Sequence, residues 1–253
     1  MAQPYLSIII PAYNEAERIP KTLLDVDKRL ANAPYSYEIL VVNDGSKDNT
    51  AEIVKRLAAR MVRNLKLIDM PENAGKGGAT KQGMLLANGT IRLFMDADNA
   101  TSIDQFEAMM PLFKNGADVV VGSRAAAGAR LDPPEVWYRQ IIGKALNLLV
   151  QILLLPGIWD TQCGFKAFTD DAAKQVFGLS KITRWGFDVE LLSLAKRMSY
   201  TIKEVPVHWV NDPNSTVHFS AGLQFLRDIF TIRWWLWTNG YGIEVGKARS
   251  IEK

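Results

Sequence analysis

The 253-residue chain has one cysteine, Cys163, and two histidines, His208 and His218. A single cysteine cannot close an internal disulfide, and this set cannot supply a thiolate zinc cluster or a His-rich metal centre. Cys163 has no histidine close to it in sequence and reads as a small packing residue. His208, in a strand-like run over 205–210, reads as structural. Long apolar runs are also missing. The longest uncharged stretch, 145–159, has 15 residues and contains Asn147, Gln151, Pro156 and Gly157, whereas a spanning helix needs roughly 20 apolar residues. No membrane span is expected, and the strand-like segment beginning at Leu6 leaves no room for a signal peptide. Neither G-x-G-x-x-G nor G-x-x-x-x-G-K-[ST] occurs, which argues against a standard dinucleotide site or a P-loop. Charge of one sign is lacking as well. Thirty basic residues face 27 acidic ones, a net +3, too balanced for nucleic-acid binding by bulk electrostatics.

What is present is 48% hydrophobic residues arranged in two alternating patterns. Short β-rich runs at 6–10, 38–43, 65–70, 90–95 and 118–122 are separated by amphipathic helical stretches at 18–30, 49–63, 78–87 and 102–113. Several strands are near-continuous apolar runs, as parallel strands are when helices cover both faces. The alternation predicts an α/β fold with a mostly parallel central sheet and right-handed crossovers. Ser102 with Gln105 three residues on predicts a capping box. Further helices are expected at 137–155, 188–198 and 220–238, and a strand at 201–205. The chain reads as one catalytic domain over 1–217 and a C-terminal helical extension over 218–253.

Open α/β sheets bind ligands at the carboxyl ends of their strands, and three such ends carry polar residues. The first strand runs into Pro11, Tyr13 and Glu15, the second into Asp44-Gly45-Ser46, the fourth into Asp96-Ala97-Asp98. Two carboxylates at i and i+2 past an apolar strand suit Mg²⁺ or Mn²⁺, which take oxygen ligands and keep positions for water and phosphate. Asp44 either accepts from a base or ribose or caps the next helix. Lys76, in a glycine-rich turn, is a phosphate contact or a surface lysine.

The stretches LSIIIPAYNE (6–15), VVNDGSKDNT (41–50), NAGKGGA (73–79), DAD (96–98) and VGSR (121–124) resemble the family-2 inverting glycosyltransferases of GT-A fold. DTQCGFK (160–166), RWGFDVE (184–190) and Asn99-Ala100-Thr101 are similar to the dolichyl-phosphate β-glucosyltransferase pattern among the polyprenyl-phosphate glycosyltransferases. The resemblance implies that Pro11, Tyr13, Glu15, Asp44 and Lys76 surround the nucleotide and that Asp96 and Asp98 handle metal and diphosphate. Arg124, Arg130 and Arg139 would face an acceptor phosphate, with Arg124 and Arg139 grouped with Asp96 and Asp98 in catalysis. One departure is Thr216, where relatives carry a basic residue near the donor phosphates.

The expected reaction is inverting transfer of a sugar, glucose from UDP-glucose first, to a polyprenyl phosphate. Alternatives are a GDP-mannose-dependent dolichyl-phosphate mannose synthase, transfer to a saccharide hydroxyl, a silent nucleotide-sugar-binding module and a phosphatase. A hydroxyl acceptor would need a carboxylate base, for which Asp160, Asp188 and Glu190 are candidates, although Asp188 and Glu190 also suit a helix start. A lipid acceptor calls for interfacial helices near 146–155 and 225–237, the second rich in tryptophan and flanked by Arg227 and Arg233. The expected setting is therefore cytoplasmic, peripheral on the cytosolic face of a membrane. A homo-oligomer stays open.

Overall fold

Seven strands line up in the order β3-β2-β1-β4-β7-β5-β8. They are β1 (Leu6–Ala12), β2 (Tyr37–Asn43), β3 (Leu65–Asp69), β4 (Ile91–Met95), β5 (Val119–Ser123), β7 (Phe165–Thr169) and β8 (Ile202–Pro206). The computed structural model describes residues 3–133, 137–210 and 219–243, with the helical backbone alone at 137–142 and 219–221. β1 pairs parallel with both β2 and β4, so the strand order reverses between β1 and β4. A crevice at that reversal is where an open α/β sheet takes its ligand.

Apolar residues alternate between two cores, as the two-residue period of a strand requires. Ile8, Ile10, Ile39, Val41, Leu93 and Met95 pack with α1 (Ile19–Leu30), α2 (Thr50–Arg60) and α4 (Phe106–Lys114). Ile9, Leu40, Val42, Phe94, Val119 and Val121 face the opposite layer of α3 (Lys76–Leu86), α6 (Asp170–Leu179) and α7 (Phe187–Arg197). The helices α5 (Trp137–Leu153) and α8 (Phe219–Trp237) close over this second core. Phe225, Ile229 and Ile232 are buried in it. A two-stranded parallel sheet, β6 (Arg130–Asp132) with β9 (His208–Val210), flanks β5 and β8.

Several details depart from the sequence reading, which also anticipated neither α6 nor β6. The expected strands and helices are present within a few residues, but β7 was read only as part of a motif. It runs antiparallel between β4 and β5 in the middle of the sheet, where its apolar alternation is interrupted by a lysine. The capping box is absent, for Ser102 makes no side-chain cap. Gln105 instead clasps β9, its Nε2 donating to the His208 carbonyl at 2.9 Å while its Oε1 accepts from the His208 amide at 2.6 Å. A tertiary partner with both a donor and an acceptor outcompetes the local bond. Finally, α3 starts at Lys76, two residues earlier than expected, because Gly75 at φ 86° ends the preceding loop and lets the helix begin.

Candidate active site

The site follows from the sheet's directions. β1, β2, β4 and β5 all end at one edge, and because β7 is antiparallel its start lies there too, with Phe165 opposite Met95. The loops after β1, β2, β4 and β5 therefore meet the 160–164 segment that leads into β7.

After β4, Asp98 is half-buried and its carboxyl is pushed up by burial and by the neighbouring Asp96 charge. The Ala100 amide donates to Asp98 Oδ1 at 3.0 Å. Glu15 comes from β1's loop and is also held up by burial, with Asp98 and Asp96 adding to the shift against the pull of Arg18. Arg18 grips Glu15 through two bonds of 2.7 Å. Asp96 makes an ion pair with Lys76. Desolvation works against the lysine's charge, yet Asp96 and Asp188 outweigh it and hold the amine above the ordinary lysine range. Gly164 lies directly against Asp96, where an added Cβ would come within 2.1 Å of Oδ2. The glycine of the 160–166 motif thus has a steric reason.

Asp96 and Asp98 converge from one turn, and the bare Gly164 backbone leaves the Asp96 carboxylate room that any side chain would fill. This donor set fits a hard divalent cation. Among the described residues no group of three His, Cys, Asp or Glu forms a complete cage. Two carboxylates suffice for Mg²⁺ or Mn²⁺, which retain water and substrate phosphate as ligands.

Asp44 is 2% exposed, and it does not cap α2. Its carboxylate accepts from the Ala74 amide at 2.7 Å, the Gly75 amide at 2.9 Å and Asn73 Nδ2 at 2.9 Å, pinning the glycine turn that delivers Lys76. The turn after β2 is instead closed by Asp48, which accepts from the Thr50 amide and the Ala16 amide. Pro11 is buried at the end of β1, and Tyr13 stands exposed beside it.

On the other flank, Arg124 follows β5 and forks onto Asp160, with Nε–Oδ2 at 2.7 Å and Nη2–Oδ1 at 2.9 Å. Its guanidinium lies over the Trp209 ring at 4.9 Å. Arg130 is exposed on β6, paired in register with His208, the residue before Trp209. The Arg139 side chain and Thr216 fall outside the described residues.

The three carboxylates considered as a base are all engaged. Asp160 holds Arg124 and also accepts from the Cys163 amide at 3.1 Å. Asp188 pairs with Lys166 at 2.5 Å. Glu190, fully buried, accepts from the Lys181 and Ile182 amides and from the Tyr241 hydroxyl, so it anchors the 181–186 loop. Lys166 was not singled out from the sequence. It is wholly buried, donates to the Cys163 carbonyl at 2.6 Å and lies 5.3 Å from the Phe94 ring centroid. The available signal was a lysine in a run that otherwise reads as an apolar strand. Cys163 is buried, and its thiol is pushed up to about 12 by that burial, as a packing residue's is.

Two outcomes are expected. Gly164→Ala forces the Asp96 carboxylate aside, so kcat/KM falls on the order of 100-fold while the thermal midpoint moves little. A wild-type rate would separate Gly164 from the site. For Asp160→Asn, burial raises the native carboxyl, but the bond and charge of Arg124 prevail and hold it below its usual value. A carboxyl depressed by folding stabilises fully above its unfolded value of about 3.9, and the contribution disappears as pH falls through the lower folded value. The variant should be about 1–3 kcal/mol less stable in denaturant titrations between about pH 5 and pH 7. That gap should close below about pH 4.

The glycosyl transferase family 2 model matches residues 7–177. A dolichyl-phosphate beta-glucosyltransferase of Dictyostelium discoideum is 39% identical over 90% of this chain and 74% of its own length. Those of Drosophila melanogaster and Homo sapiens are 37% and 33% identical, over 98% and 94% of this chain and 78% of each relative. Among solved structures, M. tuberculosis glucosyl-3-phosphoglycerate synthase superposes with a TM-score of 0.68 at 18% identity, over 91% of this chain and 81% of that one. A Pyrobaculum calidifontis mannosyltransferase, solved with GDP-Man and Mn²⁺, gives 0.63 at 21% identity, over 91% and 64%. The fold is of the GT-A kind, and the chain belongs to glycosyl transferase family 2.

Proposed function

We propose that this glycosyltransferase moves glucose from UDP-glucose, with inversion, to the phosphate of a dolichyl-type polyprenyl phosphate. The observation that carries the reading is the 33–39% identity to enzymes named dolichyl-phosphate beta-glucosyltransferase across nearly the whole chain. The carboxylates give it a chemical reason. A phosphate monoester is already ionised near neutral pH and needs no strong base, which suits a site where Asp160, Asp188 and Glu190 are each bonded to another group. A saccharide hydroxyl would need one of them free.

In this reading Asp96 and Asp98 hold Mg²⁺ or Mn²⁺, which supplies Lewis-acid neutralisation of the departing nucleoside diphosphate. Pro11, Tyr13, Glu15 and the Asp44-pinned turn line the nucleotide side, and Lys76 lies at the start of α3, where helix amides favour phosphate. Arg124, held flat by Asp160 and Trp209, offers a rigid cation to the acceptor phosphate, with Arg130 on the same flank; Arg139 joins them by sequence resemblance alone, its side chain lying outside the described residues. Catalysis rests on positioning and charge neutralisation.

The acceptor's chain lies in a bilayer, and the surface of α8 is suited to meet one. No described helix is long and apolar enough to cross a membrane. Leu223, Phe230, Trp234 and Trp237, spaced by seven, four and three residues, form one exposed stripe opposite buried Phe225, Ile229 and Ile232. Trp237 is 73% exposed, and on α5 Ile152 is 71% exposed. Arg227 and Arg233 flank the α8 stripe. Such a face favours a helix lying in the interface, tryptophans at headgroup level, and supports a peripheral enzyme, which in this reading sits on the cytosolic face.

A donor panel tests the reaction. UDP-glucose with polyprenyl phosphate and Mg²⁺ or Mn²⁺ should give a lipid-linked glucose, and folded Asp98→Ala should give none. Labelling only from GDP-mannose would replace the donor, and near-normal turnover by Asp98→Ala would remove the metal assignment. For the surface, replacing both Trp234 and Trp237 by Ser should abolish flotation with polyprenyl-phosphate liposomes while leaving the melting temperature within a few degrees of wild type. Undiminished flotation would count against α8.

A further inference from the structure

Two lysines enter the acidic cluster at the carboxyl edge, and they are built differently. Lys166 keeps none of its side-chain surface exposed and is tied to Asp188, the Cys163 carbonyl and the Phe94 ring. It is a fixed counter-charge. Lys76, whose amine pairs with Asp96, keeps 42% of its side chain open to solvent.

The backbone beneath Lys76 is closely packed and hydrogen-bonded. An added Cβ on Gly75 would reach the Thr183 carbonyl at 2.6 Å, and on Gly77 it would reach Phe187 Cβ at 2.7 Å. Asp44 clamps the same turn through the Ala74 and Gly75 amides. The turn is held while the lysine side chain has open space beside it, at the start of α3, where a phosphate would be bound.

Resting on the reading of Asp96 and Asp98 as metal ligands, we propose that Lys76 is an exchanging counter-ion that couples metal binding to donor binding. Lys76 and the divalent cation compete for the Asp96 carboxylate, since an ammonium and a metal ion on one carboxylate repel each other. The metal gains Asp96 when Lys76 leaves it, and the donor's diphosphate is the anion that receives the lysine. Asp188 does not lose its partner in the exchange, because Lys166 stays. The nucleotide thus tightens metal binding beyond its own ligation of the ion, and by linkage the metal tightens nucleotide binding by the same factor.

The test measures Mn²⁺ binding by the electron paramagnetic resonance of free Mn²⁺, with and without UDP, in wild type, Lys76→Gln, Lys76→Ala and Lys76→Arg. Circular dichroism and melting temperature confirm folding. Without UDP, Lys76→Gln and Lys76→Ala should bind Mn²⁺ on the order of tenfold more tightly than wild type, and the enhancement produced by UDP should shrink by a similar factor. Lys76→Arg, which keeps the charge, should stay near wild type. Mn²⁺ affinity that is unchanged or weaker in both neutral variants, with the UDP enhancement intact, would overturn the exchange. Asp96→Asn separates the two levels: if it binds Mn²⁺ as wild type does, the metal reading itself fails, and the exchange with it.

Discussion

A concentration of carboxylates at one edge of a sheet has to be compensated, and much of this structure answers that requirement. Glu15, Asp44, Asp96, Asp98, Asp160 and Asp188 all gather at the carboxyl edge, several of them buried. Each of the buried ones has its own answer. Asp44 takes backbone amides, Asp160 an arginine fork, Asp188 a buried lysine. An uncompensated buried charge costs several kcal/mol, so these partners are conditions for folding as much as for chemistry. Asp96 and Asp98 are answered more loosely: Asp96 pairs with a half-exposed lysine, Lys76, and Asp98 has the Ala100 amide with Lys76 and Arg18 nearby. The acidic surplus is thereby focused at one place.

The antiparallel β7 is what brings the two flanks together. A wholly parallel sheet would carry the chain from β4 to β5 and send the 160–166 segment elsewhere. Inserted in reverse between them, β7 starts at the edge where β4 and β5 end. That one inversion puts Gly164 against Asp96, Asp160 beside Arg124, and Lys166 beneath Asp188. The Asp96 flank and the Arg124 flank are joined by a stretch of seven residues.

The surface helix is also tied to this edge. Asp228 of α8 accepts from the Gly186 amide at 3.1 Å, and the loop containing Gly186 packs through Thr183 on Gly75. The apolar stripe of α8 is thus connected to the turn that carries Lys76 by covalent and packed elements.

Much of the framework was determined by the sequence alone. The alternation of apolar strands and amphipathic helices specifies a layered α/β fold, and the polar residues after β1, β2 and β4 mark the edge of the candidate site, because both depend on local period and spacing. The pair Asp96 and Asp98 was legible for the same reason. What only the tertiary structure decided were pairings between distant segments. A capping box at Ser102 lost to Gln105 bonding β9, more than 100 residues away. Asp44 met neither a cap nor its own turn but the backbone thirty residues on. Lys166, hidden in a strand of mixed pattern, acquired its meaning only beside Asp188. The stripes on α8 follow from helical spacing, but which stripe is buried was set by the core it packs on. Local sequence carries period and charge, whereas the partner of a buried charge is chosen by the order and direction of strands.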